Sequence, residues 1–412
     1  MSRIRAGIIS LHTSPLTQPG SGDSGGMNVY IREVVSSLTQ AGLACDVFVR
    51  RWVDDLEPIV QVEPGFRVIH VPAGPVELAK EQLPSIVDEF SAWMREWFDE
   101  NPVDVLHANY WLSGVVGHQL SHELDLPLVT TFHTLARVKA EMGDLEPQSR
   151  MDAEALVVAC SDVMIANAQV EREQLIDLYG ANPERVEIVA PGVDRAFFSP
   201  GRREGAQTAI GYEGGPLVMF VGRIQPLKGV DVAVEALAQL RTTDAHLMVV
   251  GGASGREGAS EVDKIKRLIE SLGIGDRVSF VPPQPHYALS TYYRAADVVV
   301  MPSRSESFGL VALEAAACGI PVVASAVGGL TTLVRNGETG FLIDGRDPAD
   351  YAEAIDIILE SSERGVAMGA AAAAVAARYP WSGLAGRLRS IYRRLIDERG
   401  EPPCSHGTPT PD

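Results

Sequence analysis

The chain has 412 residues, more than one hydrophobic core usually organises, which sets an expectation of two domains. Hydrophobic residues make up 46% and charged residues 22%, the balance of a soluble globular protein. With 35 basic against 54 acidic residues the net charge is −19, a surface that repels nucleic acid and anionic lipid, so any anionic substrate must be held by a few well-placed basic residues.

Short β-rich runs alternate with helical patterns from the start. In the first half the expected strands are Ile4–Ser10, Cys45–Val49, Arg67–His70, Val103–His107, Leu128–Phe132, Val163–Ala166 and Val186–Ala190. In the second they are Leu217–Val221, Leu247–Val250, Val278–Val281, Val298–Met301, Val322–Ala324 and Gly340–Ile343. Apolar strands separated by helices imply parallel sheets covered on both faces, hence an α/β fold of two doubly wound units. Ligands bind such sheets at the carboxyl ends of the strands, so two facing units would form a cleft. The domain reading is residues 1–190, a linker at 191–215 rich in Gly, Pro and Arg, and a second domain at 216–380. A C-terminal helix at 381–397 is expected to pack back on the first domain, and residues 398–412, with four prolines, are expected to be disordered.

No run approaches the roughly 20 apolar residues of a membrane span, and Ala6–Ser10 is too brief for a signal-peptide core. The apolar stripe of Phe90, Trp93, Met94, Trp97 and Phe98 reads as a core-facing helix, because its polar face is acidic. Cys45, Cys160, Cys318 and Cys404 are scattered, which argues against a zinc site or disulfide framework and fits a cytoplasmic location. The partners implied are small molecules, with no nucleic acid and no stable membrane insertion; a homodimer is left open.

Two segments of the second half carry chemistry. Arg304-Ser-Glu-Ser-Phe-Gly-Leu-Val-Ala-Leu-Glu314 follows a buried strand and opens a helix, placing Glu306 in the turn and Glu314 in the helix. Ser307–Leu310 would offer backbone N–H groups to a phosphate. A carboxylate accepts hydrogen bonds from two neighbouring hydroxyls, so Glu314 suits a ribose diol and Glu306 a hexose. Gly222-Arg223-Ile-Gln-Pro-Leu-Lys228-Gly229 follows the first strand of that domain and could clamp a diphosphate through Arg223 and Lys228. Either segment alone reads equally as a strand–turn–helix junction with ordinary surface charges; their order and spacing together are more specific.

Together with Gly328-Gly329 they resemble the retaining family-4 glycosyltransferases of the GT-B fold, two Rossmann-like doubly wound domains facing a central cleft. That resemblance implies that Arg223 and Lys228 bind the donor diphosphate, Glu314 the ribose and Glu306 the transferred sugar, with Gln18, Pro19, Gly26 and Gln284 completing the donor set. It also implies same-face attack, the leaving diphosphate taking the acceptor proton while Arg223 and Lys228 stabilise its charge. Glu306 and Glu314 are then binders and not a nucleophile–acid pair. No Asp-x-Asp triplet occurs, so metal-dependent diphosphate binding of the other major glycosyltransferase fold is unsupported. The chemistry calls for no cofactor beyond a UDP-sugar as donor substrate; a structural magnesium ion is left open.

The N-terminal loop contains Gly20-x-Gly22-x-x-Gly25, formally a dinucleotide fingerprint. Its first glycine lies ten residues past Ser10, and the second strand ends in Arg50 and Arg51, not in an acid for an NAD ribose, which disfavours a dehydrogenase. The loop instead lets backbone approach a donor phosphate or sugar, Gly25 and Gly26 leaving room that a side chain would fill. With Asn109-Tyr-Trp-Leu-Ser-Gly114 and His133-Thr-Leu-Ala136 it is similar to the D-inositol 3-phosphate glycosyltransferases of mycothiol biosynthesis. That similarity implies an inositol phosphate gripped by His12, Asp23, Ser24, Gly25, Gly26, Met27, Asn28, Lys80, Tyr110, Thr134 and Arg150, transfer of N-acetylglucosamine from UDP-N-acetylglucosamine, and a catalytic role for His133 near the anomeric centre. Singly these residues read otherwise: Lys80 as a solvated lysine, Tyr110 as a packed aromatic, Arg150 as the partner of Glu154, His133 as a core histidine. Two other readings remain, a different family-4 transferase acting on a sugar phosphate in the manner of sucrose-phosphate synthase, and a nucleotide-sugar-binding protein without turnover.

Overall fold

The computed structural model describes residues 3–20, 24–143, 145–254 and 258–398. The stretches that read as apolar strands form two parallel sheets. The first contains β1 (Arg5–Ile9), β2 (Ala44–Arg50), β3 (Ile59–Glu63), β4 (Phe66–Val71), β5 (Val105–Asn109), β6 (Leu128–Thr131), β7 (Val163–Ala166) and β8 (Val186–Ile188) in the order β3-β4-β2-β1-β5-β6-β7-β8. The second contains β9 (Leu217–Val221), β10 (His246–Val250), β11 (Val278–Val281), β12 (Val298–Met301), β13 (Val322–Ser325) and β14 (Gly340–Ile343) in the order β11-β10-β9-β12-β13-β14. Every pairing is parallel except β3 with β4. The central strands are buried along their whole length, as in Leu-Val-Met-Phe-Val of β9, because helices cover both faces.

β3 is absent from the sequence-based reading for a physical reason. It is a partly exposed edge strand, Ile-Val-Gln-Val-Glu, and carries no continuous apolar run. Helix Arg203–Ile210 lies inside the stretch read as linker; it is eight residues long and only Ala206 is buried on it, so it leaves no apolar run to read. Helix Val87–Glu100 turns Phe90, Met94 and Phe98 into the first core, with Trp93 and Trp97 at its margin, so the apolar stripe is indeed a core face. Cys45 and Cys318 are free and buried, whereas Cys160 is disulfide-bonded, which corrects the expectation of unbridged thiols; sequence spacing bears only on local frameworks.

The chain divides into two compact units. One holds the stretch ending at Leu16, Tyr30–Ala190 and the chain from Ser382; the other holds Thr17–Val29 and Pro191–Trp381. The glycine loop, read with the first domain, therefore groups with the second unit. Helix Trp381–Asp397 buries Leu384, Leu388, Ile391 and Tyr392, and Tyr392 meets His107 Nδ1 through its hydroxyl at 2.6 Å. No helix among the described residues is long and apolar enough to cross a membrane.

Strand order fixes where each unit can hold a ligand. The chain reverses direction across each sheet between β1 and β5 and between β9 and β12, and the carboxyl ends of those strand pairs are the switch points at which α/β sheets bind ligands.

Candidate functional site

At the switch point of the second unit the loops after β9 and β12 are joined. Arg304 N–H donates to Leu227 O at 2.8 Å, and Lys228 Nζ forms an ion pair with Glu306 Oε1. Ser303 Oγ donates to the same oxygen at 3.2 Å. Glycines permit these approaches. Gly229 has φ +74°, and a Cβ there would lie 2.2 Å from Pro302 O; Gly328 has φ +51°, and a Cβ there would lie 1.7 Å from Glu306 O. Gly329 N–H donates to Glu306 O at 3.0 Å, so the Gly-Gly pair locks the backbone that carries Glu306.

Helix Leu310–Ala317 starts after Gly309, slightly later than the sequence-based reading, and brings Glu314 inward. Glu314 is 5% exposed; its Oε1 pairs with His286 Nε2 at 2.7 Å and its Oε2 accepts from Tyr293 OH at 2.9 Å. Burial, and then the Glu314 charge, raise the Tyr293 phenol well above its ordinary value, so it stays a donor. His286 and Tyr293 were missed because they lie 28 and 21 residues before Glu314, with strand β12 between, so only the fold brings them together.

Arg223 Nη1 donates to Ser254 Oγ at 3.3 Å, an approach set by Ile224 N–H bonding to Gly252 O at 2.8 Å. The glycine loop packs here as well. A Cβ on Gly25 would lie 3.2 Å from Arg223 Nε, and one on Gly26 would lie 3.6 Å from Leu310 Cδ1. Within the loop Gly25 N–H donates to Asn28 Oδ1 at 3.0 Å, and Gly20 N–H donates to Ser24 O at 2.9 Å. Gln18 Nε2 donates to Pro283 O at 3.0 Å beside the partly buried Pro19, and Gln284 Nε2 donates to Pro282 O at 2.8 Å. Met27 is partly buried in the first turn of helix Gly26–Gln40. Asp23 lies outside the described residues.

The first unit gathers a second group at its own switch point. Tyr110, just after β5, and His133, just after β6, adopt φ +77° and +62°, two of three non-glycine residues with positive φ among those described. Such conformations cost about 1–3 kcal/mol and cluster at functional sites. The His12 ring lies 4.2 Å from the Tyr110 ring, and Arg150 Cζ sits 5.2 Å from the Tyr110 centroid. Arg150 Nη2 donates to Thr134 Oγ1 at 3.2 Å, its Nε to Glu154 Oε1 at 2.8 Å and its Nη1 to Glu146 Oε2 at 2.8 Å. Burial opposes the guanidinium charge, but Tyr110, Glu154 and Glu146 outweigh it and the net effect raises its pKa. Thus Tyr110 is a packed aromatic and Arg150 does pair with Glu154, yet both also border the same group of polar side chains. Lys80 stands exposed on a different element, the 3-10 segment Lys80–Ile86 after β4.

His133 Nε2 bonds Asn109 Oδ1 at 2.9 Å, which places the proton on Nε2 and leaves Nδ1 as the acceptor nitrogen. Burial, and then nearby His107, push its imidazole down to about 3, so it is neutral at neutral pH.

Two families match the chain, and together they span most of it. The family described as Glycosyltransferase Family 4 matches residues 24–197, and Glycosyl transferases group 1 matches residues 203–375. The two parallel-sheet units and these matches make the chain a glycosyltransferase of the GT-B fold. It is 45% identical to the D-inositol 3-phosphate glycosyltransferase of Acidothermus cellulolyticus, over 96% of this chain and 91% of that protein, and 46% identical to the one from Geodermatophilus obscurus, over 96% and 90%. Among solved structures, sucrose-phosphate synthase from Thermosynechococcus elongatus is 31% identical, covering 96% of this chain and 100% of that one with a TM-score of 0.91. The chain belongs to the D-inositol 3-phosphate glycosyltransferase family.

Proposed function

We propose that the enzyme transfers N-acetylglucosamine from UDP-N-acetylglucosamine to 1D-myo-inositol 3-phosphate with retention of configuration. The observation that carries the acceptor half is the buried Arg150, whose guanidinium reaches Thr134 and lies over Tyr110 at the switch point of the first unit. A planar, permanently charged fork beside a hydroxyl donor suits a phosphate monoester. The relatives' name points to the same acceptor.

The donor half is assigned to the second unit. Arg223 and Lys228 take the diphosphate, and Lys228 exchanges its ion pair with Glu306 for the phosphate oxygens. Glu314, oriented by Tyr293, takes the ribose, and Glu306 takes the sugar hydroxyls once Lys228 has turned away. Charge grows on the leaving diphosphate in the transition state, so fixed cations there lower the barrier. The leaving oxygen accepts the acceptor proton. Neutral His133 bonds to the sugar without adding positive charge next to an electron-poor anomeric carbon. No metal is given a step in this scheme.

A second reading is favoured by the structural likeness to sucrose-phosphate synthase: the same donor machinery with a hexose phosphate as acceptor. A matrix of nucleotide sugars against phosphorylated polyols and hexoses, read by mass spectrometry, separates the two. Transfer from UDP-N-acetylglucosamine to inositol 3-phosphate supports the first reading. Transfer only to a hexose phosphate replaces it with the second.

A further inference from the structure

Glu146 lies between the short helix Ala136–Glu141 and helix Gln148–Cys160, and it touches two cations at once. Its Oε1 meets Lys139 Nζ, and its Oε2 accepts from Arg150 Nη1 at 2.8 Å. Its side chain is 9% exposed, that of Arg150 is 7% exposed, and that of Lys139 is 24% exposed. Thr134 Oγ1 lies on the same guanidinium at 3.2 Å. Lys139 and Arg150 therefore meet on one carboxylate, and Thr134 adjoins them through the other terminal nitrogen of the Arg150 guanidinium.

Arg150 does not depend on Glu146 for a counter-charge. Glu154 is fully buried, pairs with Arg150 Nε at 2.8 Å, and is itself held by Ala136 N–H at 2.8 Å and by Tyr179 OH. That half of the network is fixed. Glu146 is the removable half: it sits before the helix begins, and its two oxygens imitate two of the three terminal oxygens of a phosphate. A phosphate monoester carries about −1.5 to −2 at neutral pH and offers three terminal oxygens to these donors where the carboxylate offers two.

We infer that Glu146 occupies the acceptor's phosphate subsite as an internal anion, and that Lys139 is a phosphate ligand alongside Arg150 and Thr134. The phosphorylated acceptor displaces Glu146, so that Lys139 Nζ and Arg150 Nη1 exchange its two carboxylate oxygens for two phosphate oxygens. An unphosphorylated polyol cannot make the exchange, since nothing it carries replaces the lost carboxylate; Glu146 thus raises discrimination in favour of phosphate. The inference rests on the acceptor reading proposed above.

Two variants and one binding probe test it. The ratio of kcat/KM for inositol 3-phosphate over myo-inositol, at saturating UDP-N-acetylglucosamine, is expected to fall about tenfold in Lys139→Gln, the loss of one charge-assisted contact. The KM for inositol 3-phosphate is expected to fall several-fold in Glu146→Gln, about the effect of removing a competing internal anion. Inorganic phosphate, probed by thermal shift, is expected to raise the melting temperature of Glu146→Gln more than that of the wild type, and that of Lys139→Gln less. Unchanged ratios and equal phosphate shifts in all three proteins would overturn the inference and make Glu146 a structural bridge. If the wild type transfers to no phosphorylated polyol, the acceptor reading has failed, and the ordering of the phosphate shifts still decides the subsite. If Glu146→Gln does not fold, Lys139→Gln against wild type decides it.

Discussion

The two units place their chemistry at equivalent points of their sheets but build it from different material. In the second unit, backbone and glycines form the site: Gly229 and Gly328 let loops approach to distances that any Cβ would block, and the ion pair of Lys228 with Glu306 spans the two loops that flank the switch point. In the first unit, buried side chains form it: Arg150, Glu154, Tyr179 and Thr134 interlock around strained backbone at Tyr110 and His133. The difference has a consequence. The Lys228 charge of the second site can be removed without loosening the unit, whereas in the first site the charges of Arg150 and Glu154 are part of the core.

Lys228→Ala is the sharpest test of the first half of that statement. Its side chain is 22% exposed and ion-paired to Glu306, so its loss is expected to leave the fold intact. The turnover number is expected to fall by about three orders of magnitude, the loss of a fixed cation at the growing charge. Stability should change by no more than about 1 kcal/mol, the range of a partly exposed ion pair. Steady-state kinetics and urea melts on one preparation check both. Near-wild-type turnover would remove Lys228 from the donor site.

Glu154→Ala is the counterpart in the first unit. It strips a fully buried carboxylate from Arg150, Ala136 N–H and Tyr179 OH together. Breaking one side of a buried pair costs about 3–5 kcal/mol, and Glu146 holds the effect toward the lower end by keeping a second carboxylate on Arg150. The urea midpoint should shift accordingly. A stability loss as small as that of Lys228→Ala would erase the contrast between the units.

The same contrast explains what was legible in the sequence. Arg223, Lys228, Glu306 and Glu314 fall in two short segments whose spacing is fixed by one strand, one turn and one helix each, so local pattern places them. The alternation of apolar strands gave both sheets for the same reason: burial on both faces writes itself as continuous Val, Ile and Leu. The partners of those residues were not legible. His286 and Tyr293 reach Glu314 from another helix, Ser254 reaches Arg223 from the loop after β10, and Asn109 fixes the His133 tautomer across a strand pair. In the first unit Glu146 was hidden because its role depends on Lys139 and Arg150 converging from two elements. The partly exposed β3 and the eight-residue helix Arg203–Ile210, on which only Ala206 is buried, escaped because little burial imprints little pattern.

His133 offers a milder probe of the coupling between site and core in the first unit. Its imidazole is depressed to about 3 from an ordinary 6.5, so the unfolded chain binds a proton that the folded protein refuses over that interval. The stability that comes from keeping it neutral is fully present above about pH 6.5 and is lost as pH falls toward 3. His107, pushed down to about 3 by its own burial, acts in the same sense. Replacing His133 with Asn, which tolerates positive φ, should flatten the dependence of unfolding free energy on pH between about 4 and 6 by up to roughly 1 kcal/mol per pH unit, with the His107 contribution remaining. Over the same range kcat of the wild type should show no limb from this imidazole, as befits a neutral hydrogen-bonding group. A kcat limb near pH 6.5 that vanishes in the Asn variant would make His133 a titrating catalyst.

The smallest expected effects lie on the glycine loop, and they separate steric support from ligand approach. A Cβ on Gly25 would stand 3.2 Å from Arg223 Nε, close enough to push a flexible guanidinium by a few tenths of an ångström and no more. A Cβ on exposed Gly26 would stand at an ordinary 3.6 Å from Leu310 Cδ1. Neither alanine variant should therefore move stability by more than about 0.5 kcal/mol. Gly25→Ala should lower kcat several-fold by displacing Arg223, an effect of about 1 kcal/mol on the barrier. Gly26→Ala has no such neighbour to disturb, so any rise in the donor KM measures how closely the loop backbone approaches the donor itself. If both variants match the wild type in kcat and KM, the loop is a connection between elements and the donor site in the second unit is complete without it.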